Sequence, residues 1–131
     1  MKLKIKICGL REAGNIREIA SLNPDFMGFI FYPSSKRFVG ENFDGEMLKN
    51  IPEHIAKVGV FVNESLEKVE YLYQKFGMDF VQLHGNEHPE YCQKLKEKNI
   101  KIIKAFSVPA DFDAGICKTY ESCCNYFLFD T

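Results

Sequence analysis

The sequence predicts an α/β protein built on a parallel sheet. Six short apolar segments alternate with polar or amphipathic segments along the 131 residues. They recur every ~20 to 30 residues, the rhythm of βαβ units in which successive strands run parallel. No linker, low-complexity tract or shift in composition divides the chain, so we expect a single domain over residues 1–131.

The first predicted strand lies almost at the start of the chain, where apolar and charged residues alternate. This alternation predicts a half-buried strand with Ile5 and Ile7 on one face and Lys4 and Lys6 on the other. The strand ends at Cys8, and the glycine that follows permits a sharp turn. A cysteine at this position is either a functional thiol or a small core residue.

The other five strands are predicted from short apolar runs bounded by turn residues. They cover residues 26–31, 57–62, 80–84, 100–106 and 126–130. Between them we predict helices at 15–22 with Asn15 as N-cap, at 43–51, at 65–76 and from Pro89 onward. A helical or irregular segment is expected at 109–122, and Gly77 takes the position of a C′ glycine.

Two architectures share this rhythm. An open, doubly wound sheet fits the length of the chain, whereas a (β/α)8 barrel needs eight units and typically ~250 residues. Length and periodicity alone favour the open sheet. The residues at the strand ends favour the barrel.

Composition and charge limit the kinds of molecule that this protein is expected to bind. A net charge of -1 gives no electrostatic reason to expect nucleic acid or an anionic membrane surface. No apolar run approaches the ~20 residues of a membrane-spanning helix. The five cysteines are irregularly spaced and match neither a zinc-site pattern nor a disulfide framework. We therefore expect reduced thiols in a cytoplasmic protein, and interpret Cys92, Cys117, Cys123 and Cys124 as buried or incidental.

Polar side chains stand at four of the predicted strand ends. In both architectures the carboxyl ends of parallel strands form the functional face. These ends carry Cys8, a loop with Arg37, the pair Gln82 and His84, and Asp130. Side chains at successive strand ends would lie around one opening at this edge of the sheet. They would bring together a thiol, a guanidinium, an imidazole and a carboxylate.

Each of these residues has a functional interpretation and a plainer one. Cys8 acts as base or nucleophile only as thiolate. Asp130 ends an apolar strand, where burial favours the protonated carboxyl that a general acid needs; otherwise it anchors the next loop. Arg37 suits a carboxylate or phosphate, or lies in a solvated basic loop. His84 either binds a ligand or pairs with the backbone, and His54 and His88 are expected at the surface.

Taken together, the segments resemble the phosphoribosylanthranilate isomerase family, (β/α)8-barrel enzymes of tryptophan biosynthesis. The matching stretches follow the family's order and span nearly the whole chain. They are KICGL at 6–10, GFIF at 28–31 with SSKR at 34–37, VGVFVN at 58–63, VQLHG at 81–85 and FLFDT at 127–131.

The resemblance implies an Amadori rearrangement of N-(5-phosphoribosyl)anthranilate to 1-(2-carboxyphenylamino)-1-deoxyribulose 5-phosphate. It implies that Cys8 is the general base that removes the C2 proton and that Asp130 is the general acid that protonates the furanose oxygen. Arg37 would hold the anthranilate, with Gln82 and His84 lining the same pocket. The expected partner is this small-molecule substrate, and no metal or other cofactor is implied.

The resemblance also implies an incomplete barrel of about six βα units. The last two strands, and the loops that grip the substrate phosphate in the family, are lacking. We expect a fragment of a longer protein; the alternative is a short form completed by a partner or by self-association through its unpaired edge strands. Two other functions stay open: an inactive fragment of the enzyme, and an open-sheet phosphate- or nucleotide-binding domain. The single glycine in residues 9–12 disfavours the second.

Overall fold

The computed structural model describes residues 2–131 as a curved sheet of six strands with helical segments between them. The strands are β1 (Lys6–Cys8), β2 (Phe26–Ile30), β3 (Ala56–Phe61), β4 (Phe80–Leu83), β5 (Lys101–Ser107) and β6 (Tyr126–Asp130). The α-helices are α1 (Ala13–Ser21), α2 (Leu66–Lys75) and α3 (Pro89–Glu97). Two 3-10 helices span Gly45–Leu48 and Ala114–Tyr120. None of the helices in the described residues is both long enough and apolar enough to cross a membrane.

The strands follow one another across the sheet in chain order, and every neighbouring pair is parallel. The parallel α/β prediction is therefore confirmed. A doubly wound sheet reverses its strand order at a switch point, and this order has no reversal. The open doubly wound sheet, and the nucleotide-binding domain that depended on it, were wrong. The architecture is a half-barrel.

The helices cover one face of the sheet only. Strand residues on this convex face share a continuous apolar core with the buried faces of the helices. The strands contribute Met27, Phe29, Phe61, Val81, Leu83, Ile102 and Phe106, and the helices contribute Ile16, Val69, Cys92 and Leu95. The helices pack against this face because burying its apolar side chains is favourable. The opposite face is concave, and no helix of the described residues covers it.

The concave face has a smaller core of its own. Val58, Phe80 and Ile103 are buried there, and three aromatic rings from alternate strands meet. The ring of Phe26 lies 5.6 Å from that of Phe80 and 5.8 Å from that of Tyr126. Lys4, just before β1, approaches the Tyr126 hydroxyl with its Nζ at 3.1 Å. The two outer strands are therefore brought towards each other at their starts although they do not pair.

Most predicted elements agree with the structure to within two residues. The helix predicted at 43–51 is only the 3-10 turn Gly45–Leu48. The prediction that Asn15 is an N-cap was wrong: α1 starts at Ala13, and the Ile16 N–H already bonds to the Glu12 carbonyl at 2.9 Å. Gly77 follows α2 with a φ of 60°, as expected of a C′ glycine.

The two faces of β1 agree with the prediction. Ile7 packs against the convex core, and Lys6 lies on the opposite, concave face with Cys8. Ile5, which precedes the strand, is 54% exposed. Alternation assigns residues to opposite faces of a strand; it does not tell which face encloses a site.

Candidate active site

Cys8 ends β1 on the concave face, opposite a glycine in the neighbouring strand. Its register partner is Gly28 in β2. A Cβ built on Gly28 would lie 2.7 Å from Cys8 Sγ and 3.1 Å from Lys6 Nζ. The missing side chain therefore makes room for the thiol and for an ammonium group beside it. A positive charge is thus available where a cysteine acting as base has to carry negative charge.

Arg37 lies against the turn that follows Cys8. Its Nη1 donates a hydrogen bond to the Cys8 carbonyl at 3.3 Å. The turn residue Gly9 has a φ of 87°, and a Cβ on it would lie 2.6 Å from Arg37 Cδ. Glycine is required here both for the backbone conformation and for the close approach of the arginine. Arg37 is otherwise exposed, so most of its guanidinium remains free to bind an anion.

Asp130 ends β6 at the same end of the sheet, next to His84. The Nε2 of His84 lies 3.4 Å from Asp130 Oδ2. The Asp130 carbonyl accepts a hydrogen bond from the Val108 N–H at 2.7 Å, which fixes the backbone at this point. The carboxylate itself is 57% exposed, so the expected burial of this group was wrong. The apolar neighbours in sequence gave that expectation, but β6 is an outer strand of the sheet that residues 2–131 form.

Gln82 lies deeper on the concave face, on the same strand as Phe80. The residue is 3% exposed, and its Oε1 has no hydrogen-bond partner among the described residues. A buried amide oxygen without a partner costs free energy unless a ligand or water pairs with it. Gln82 therefore offers an acceptor to whatever enters the concave face.

The predicted site residues form two groups rather than one cluster. Cys8 and Arg37 stand at the end of β1, and His84 and Asp130 stand at the ends of β4 and β6. The two groups lie at the carboxyl ends of parallel strands, on either side of the concave face. A thiol on one side and a carboxyl on the other can exchange protons with two different atoms of one bound molecule.

A buried ion pair holds the loop that carries His84, and the sequence reasoning missed it. Lys104 and Glu87 have side chains that are 3% and 2% exposed, with Nζ and Oε1 3.4 Å apart. Lys104 also donates to the Gly85 carbonyl at 2.8 Å, and Glu87 accepts from the Gly85 N–H at 2.9 Å and the Asn63 N–H at 2.8 Å. The sequence feature that could have indicated this ion pair is Lys104, a lysine inside an apolar strand.

Comparison with sequence families gives a match over nearly the whole chain. The model of the N-(5'phosphoribosyl)anthranilate (PRA) isomerase family matches residues 5–131. The N-(5'-phosphoribosyl)anthranilate isomerase of Phocaeicola vulgatus is 46% identical over 127 residues, which cover 97% of this chain and 60% of that protein. That of Parabacteroides distasonis is 44% identical over 129 residues, covering 97% and 58%. The chain thus spans about 60% of the length of these relatives.

Solved structures of the same enzyme superimpose on the half-barrel. Phosphoribosyl anthranilate isomerase from Thermotoga maritima matches with a TM-score of 0.89 and 33% identity, over 99% of this chain and 62% of that chain. A phosphoribosyl anthranilate isomerase in complex with reduced 1-(o-carboxyphenylamino)-1-deoxyribulose 5-phosphate matches with a TM-score of 0.80 and 29% identity. The match covers 98% of this chain and 75% of that one.

Proposed function

The chain belongs to the N-(5'-phosphoribosyl)anthranilate isomerase family, and we propose that the protein containing it converts N-(5-phosphoribosyl)anthranilate to 1-(2-carboxyphenylamino)-1-deoxyribulose 5-phosphate. The observation that carries the proposal is the placement of Cys8 and Asp130 at the carboxyl ends of the two outer strands of one curved sheet. A general base and a general acid on two sides of a concave face suit a reaction in which one proton is delivered and another is removed.

The fold that we propose for this function is a (β/α)8 barrel of which the 131 residues, as one domain, form the first six βα units. The singly wound strand order supports it. So does the inner layer of Phe26, Phe80 and Tyr126, because the layers inside such barrels take their side chains from alternate strands. The active site of such a barrel lies at the carboxyl ends of its strands, where Cys8 and Asp130 stand.

Asp130 acts as the general acid in the first step. Its carboxyl proton passes to the furanose ring oxygen while the bond between that oxygen and C1 breaks, and the nitrogen lone pair forms the C1=N bond of a protonated Schiff base. The carboxyl is partly open to solvent, so it can reach a bound sugar and be reprotonated afterwards. The imidazole of His84 at 3.4 Å orients the carboxyl between turnovers.

Cys8 acts as the general base in the second step. The thiolate removes the proton from C2 of the Schiff base, and the electrons of that C–H bond form the C1=C2 bond of an enolamine. The electrons of the C1=N double bond return to the nitrogen at the same time. Ketonisation of the enolamine then gives the aminoketose product. Lys6 is a positioning residue here, since its ammonium lies beside the thiol on the same face.

Arg37 and Gln82 bind the substrate between these two groups. The exposed guanidinium beside Cys8 is suited to the anthranilate carboxylate, which it can hold through two parallel hydrogen bonds. The unpaired Oε1 of Gln82 accepts a hydrogen bond from a hydroxyl group of the sugar. These contacts fix the position and orientation of the bound substrate, so the proton donor and the proton acceptor face the correct atoms.

We also propose that the enzyme works in the cytoplasm on this small-molecule substrate, without a nucleic-acid or membrane partner. The five free cysteines support a reducing compartment. For the 131-residue chain on its own, we propose self-association through the outer strands β1 and β6, because an edge strand exposes unpaired backbone groups.

Kinetics of the intact protein tests the assignment of roles. Removing a general acid or base lowers turnover by a factor of about 10² to 10⁴, so Cys8→Ser and Asp130→Asn should each lower kcat by this amount. Cys117→Ser, which changes a half-buried thiol elsewhere, is the matched control and should leave kcat unchanged. Near-normal turnover in either site variant would show that the roles are wrong. Turnover by the 131-residue chain alone separates the active enzyme from the alternative of an inactive fragment.

A further inference from the structure

Three cysteines that lie far apart in the sequence meet in the fold. Cys92 belongs to α3, while Cys123 and Cys124 lie in the turn before β6. Their three Sγ atoms all lie within 4.8 Å of one another, and those of Cys123 and Cys124 are 3.9 Å apart. Their spacing along the chain gave no sign of this cluster, which the proposed isomerase chemistry does not use.

The separation of the sulfurs matches that of thiolates around one metal ion. With a metal–sulfur distance of about 2.3 Å, sulfurs bound to one ion lie about 3.8 to 4.0 Å apart in tetrahedral or trigonal geometry. The Cys123–Cys124 distance has this value, and a further approach of less than 1 Å brings all the sulfurs to it.

The cluster offers sulfur ligands only, and it can be reached from solvent. Cys92 and Cys123 are buried, and no histidine, aspartate or glutamate of the described residues joins the three sulfurs within the same distance. Cys123 and Cys124 also line an open cleft of about 470 Å³ with Asn99 and Asn125, which gives an ion a path from solvent.

We propose that Cys92, Cys123 and Cys124 form a binding site for one Cu(I) ion, at the end of the sheet opposite to Cys8 and Asp130. A set of thiolates without a nitrogen or oxygen ligand selects soft ions, and Cu(I) is satisfied by three sulfurs. Zinc in structural protein sites takes four ligands, one more than this cluster provides. On binding, copper–sulfur bonds replace S–H bonds and the thiol protons pass to the buffer. The copper remains Cu(I), so no oxidant or reductant is consumed.

The test is a titration of the intact, metal-free and fully reduced protein with Cu(I) under anaerobic conditions, against a chromophoric Cu(I) chelator of known affinity. We expect one equivalent of copper per chain to be taken from the chelator, with a thiolate-to-copper charge-transfer band in the ultraviolet. Zn(II), titrated in the same way against a zinc indicator, should bind more weakly. Tighter binding of Zn(II) than of Cu(I) would overturn the choice of ion.

Variants identify the ligands. Loss of groups that only support a metal ligand lowers affinity about 10- to 100-fold, so Cys124→Ser, which removes a ligand, should lower Cu(I) affinity by at least that factor. Cys92→Ser and Cys123→Ser should have the same effect. Cys117→Ser is the matched control, because this thiol lies outside the cluster, and should leave the affinity unchanged. Unchanged binding in the folded Cys124→Ser protein, or equal loss in Cys117→Ser, would overturn the proposal; circular dichroism establishes folding in each case.

Discussion

The imidazole of His84 and the carboxylate of Asp130 meet at the ends of two strands that are not neighbours in the sheet, with Nε2 and Oδ2 3.4 Å apart. Between them lies β5, so the contact exists only because the sheet is curved. His84 and Asp130 are 28% and 57% exposed, which limits what the contact contributes. Exposed ion pairs contribute about 0.2 to 1 kcal/mol.

Replacing His84 by glutamine should therefore change catalysis much less than replacing Asp130. We expect His84→Gln to lower kcat of the intact enzyme by less than about tenfold, whereas Asp130→Asn lowers it by about 100-fold or more. His88→Gln, at an exposed position, is the control. Equal losses in His84→Gln and Asp130→Asn would indicate that the imidazole is itself the acid.

Gly28→Ala should impair catalysis by displacing a thiol. The added Cβ would lie 2.7 Å from Cys8 Sγ, so the sulfur has to move, and a misplacement of ~1 Å can cost about 100-fold in rate. Gly14→Ala is the matched control, because a Cβ there meets nothing within 4 Å. Steady-state kinetics of both variants checks the prediction. Wild-type kcat in Gly28→Ala would contradict the role of Cys8.

Lys104→Met should destabilise the fold. The substitution keeps the length of the side chain but leaves Glu87 charged and without its cation in the interior, and breaking a buried ion pair in this way costs about 3 to 5 kcal/mol. Urea denaturation measures the free energy of unfolding. Lys94→Met, at an exposed position of α3, should change it by less than about 0.5 kcal/mol. A similar loss in both variants would show that the ion pair does not stabilise the protein.

Tyr120 should make the stability fall at high pH. Burial, with the nearby Cys92, Cys124 and Glu87, raises the pKa of Tyr120 from 10.0 to about 12, while the unfolded chain titrates near the ordinary value. The folded state therefore holds a proton that the unfolded state releases, and stability is lost as the pH rises from 10 to 12.

Between these two pH values the free energy of unfolding should fall by about 2 kcal/mol more in wild type than in Tyr120→Phe. Tyr120→Phe also loses the hydrogen bond from its hydroxyl to the Glu87 carbonyl, so at neutral pH it should be less stable by about 1 kcal/mol. Urea denaturation at each pH measures both effects, with Tyr71→Phe at an exposed position as control. Parallel pH curves for wild type and Tyr120→Phe would contradict the prediction.

The positions of the strands could be predicted because each is a compact apolar run between turn residues. Such runs do not indicate the order of the strands across the sheet, because that order depends on contacts between distant segments. The local pattern also does not show which side of the sheet becomes concave. Alternation placed Lys6 opposite Ile7, but it did not show that Lys6 lies beside Cys8 on the concave face. The exposure of Asp130 was misjudged for a related reason, because an edge strand and a central strand can have the same apolar composition.

The candidate site residues were predictable as strand-end polar groups, but their partners were not. The contact of Arg37 with the Cys8 carbonyl depends on the left-handed turn at Gly9, which motif spacing does not specify. The pairing of Lys104 with Glu87, and the meeting of Cys92 with Cys123 and Cys124, join residues from different βα units. Contacts of this kind follow from the fold and have no signature within a window of sequence.

The rings of Phe26, Phe80 and Tyr126 hold β2, β4 and β6 apart on the concave face of the sheet. Their centroids lie 5.6 to 5.8 Å apart, so the distance between β2, β4 and β6 is set by the thickness of aromatic side chains. Smaller residues at these positions would let β2, β4 and β6 approach one another and would change the curvature of the sheet. The distance between Cys8 and Asp130, at the carboxyl ends of β1 and β6, would change with that curvature. Packing at the amino ends of the strands therefore influences the geometry of the candidate site at their carboxyl ends.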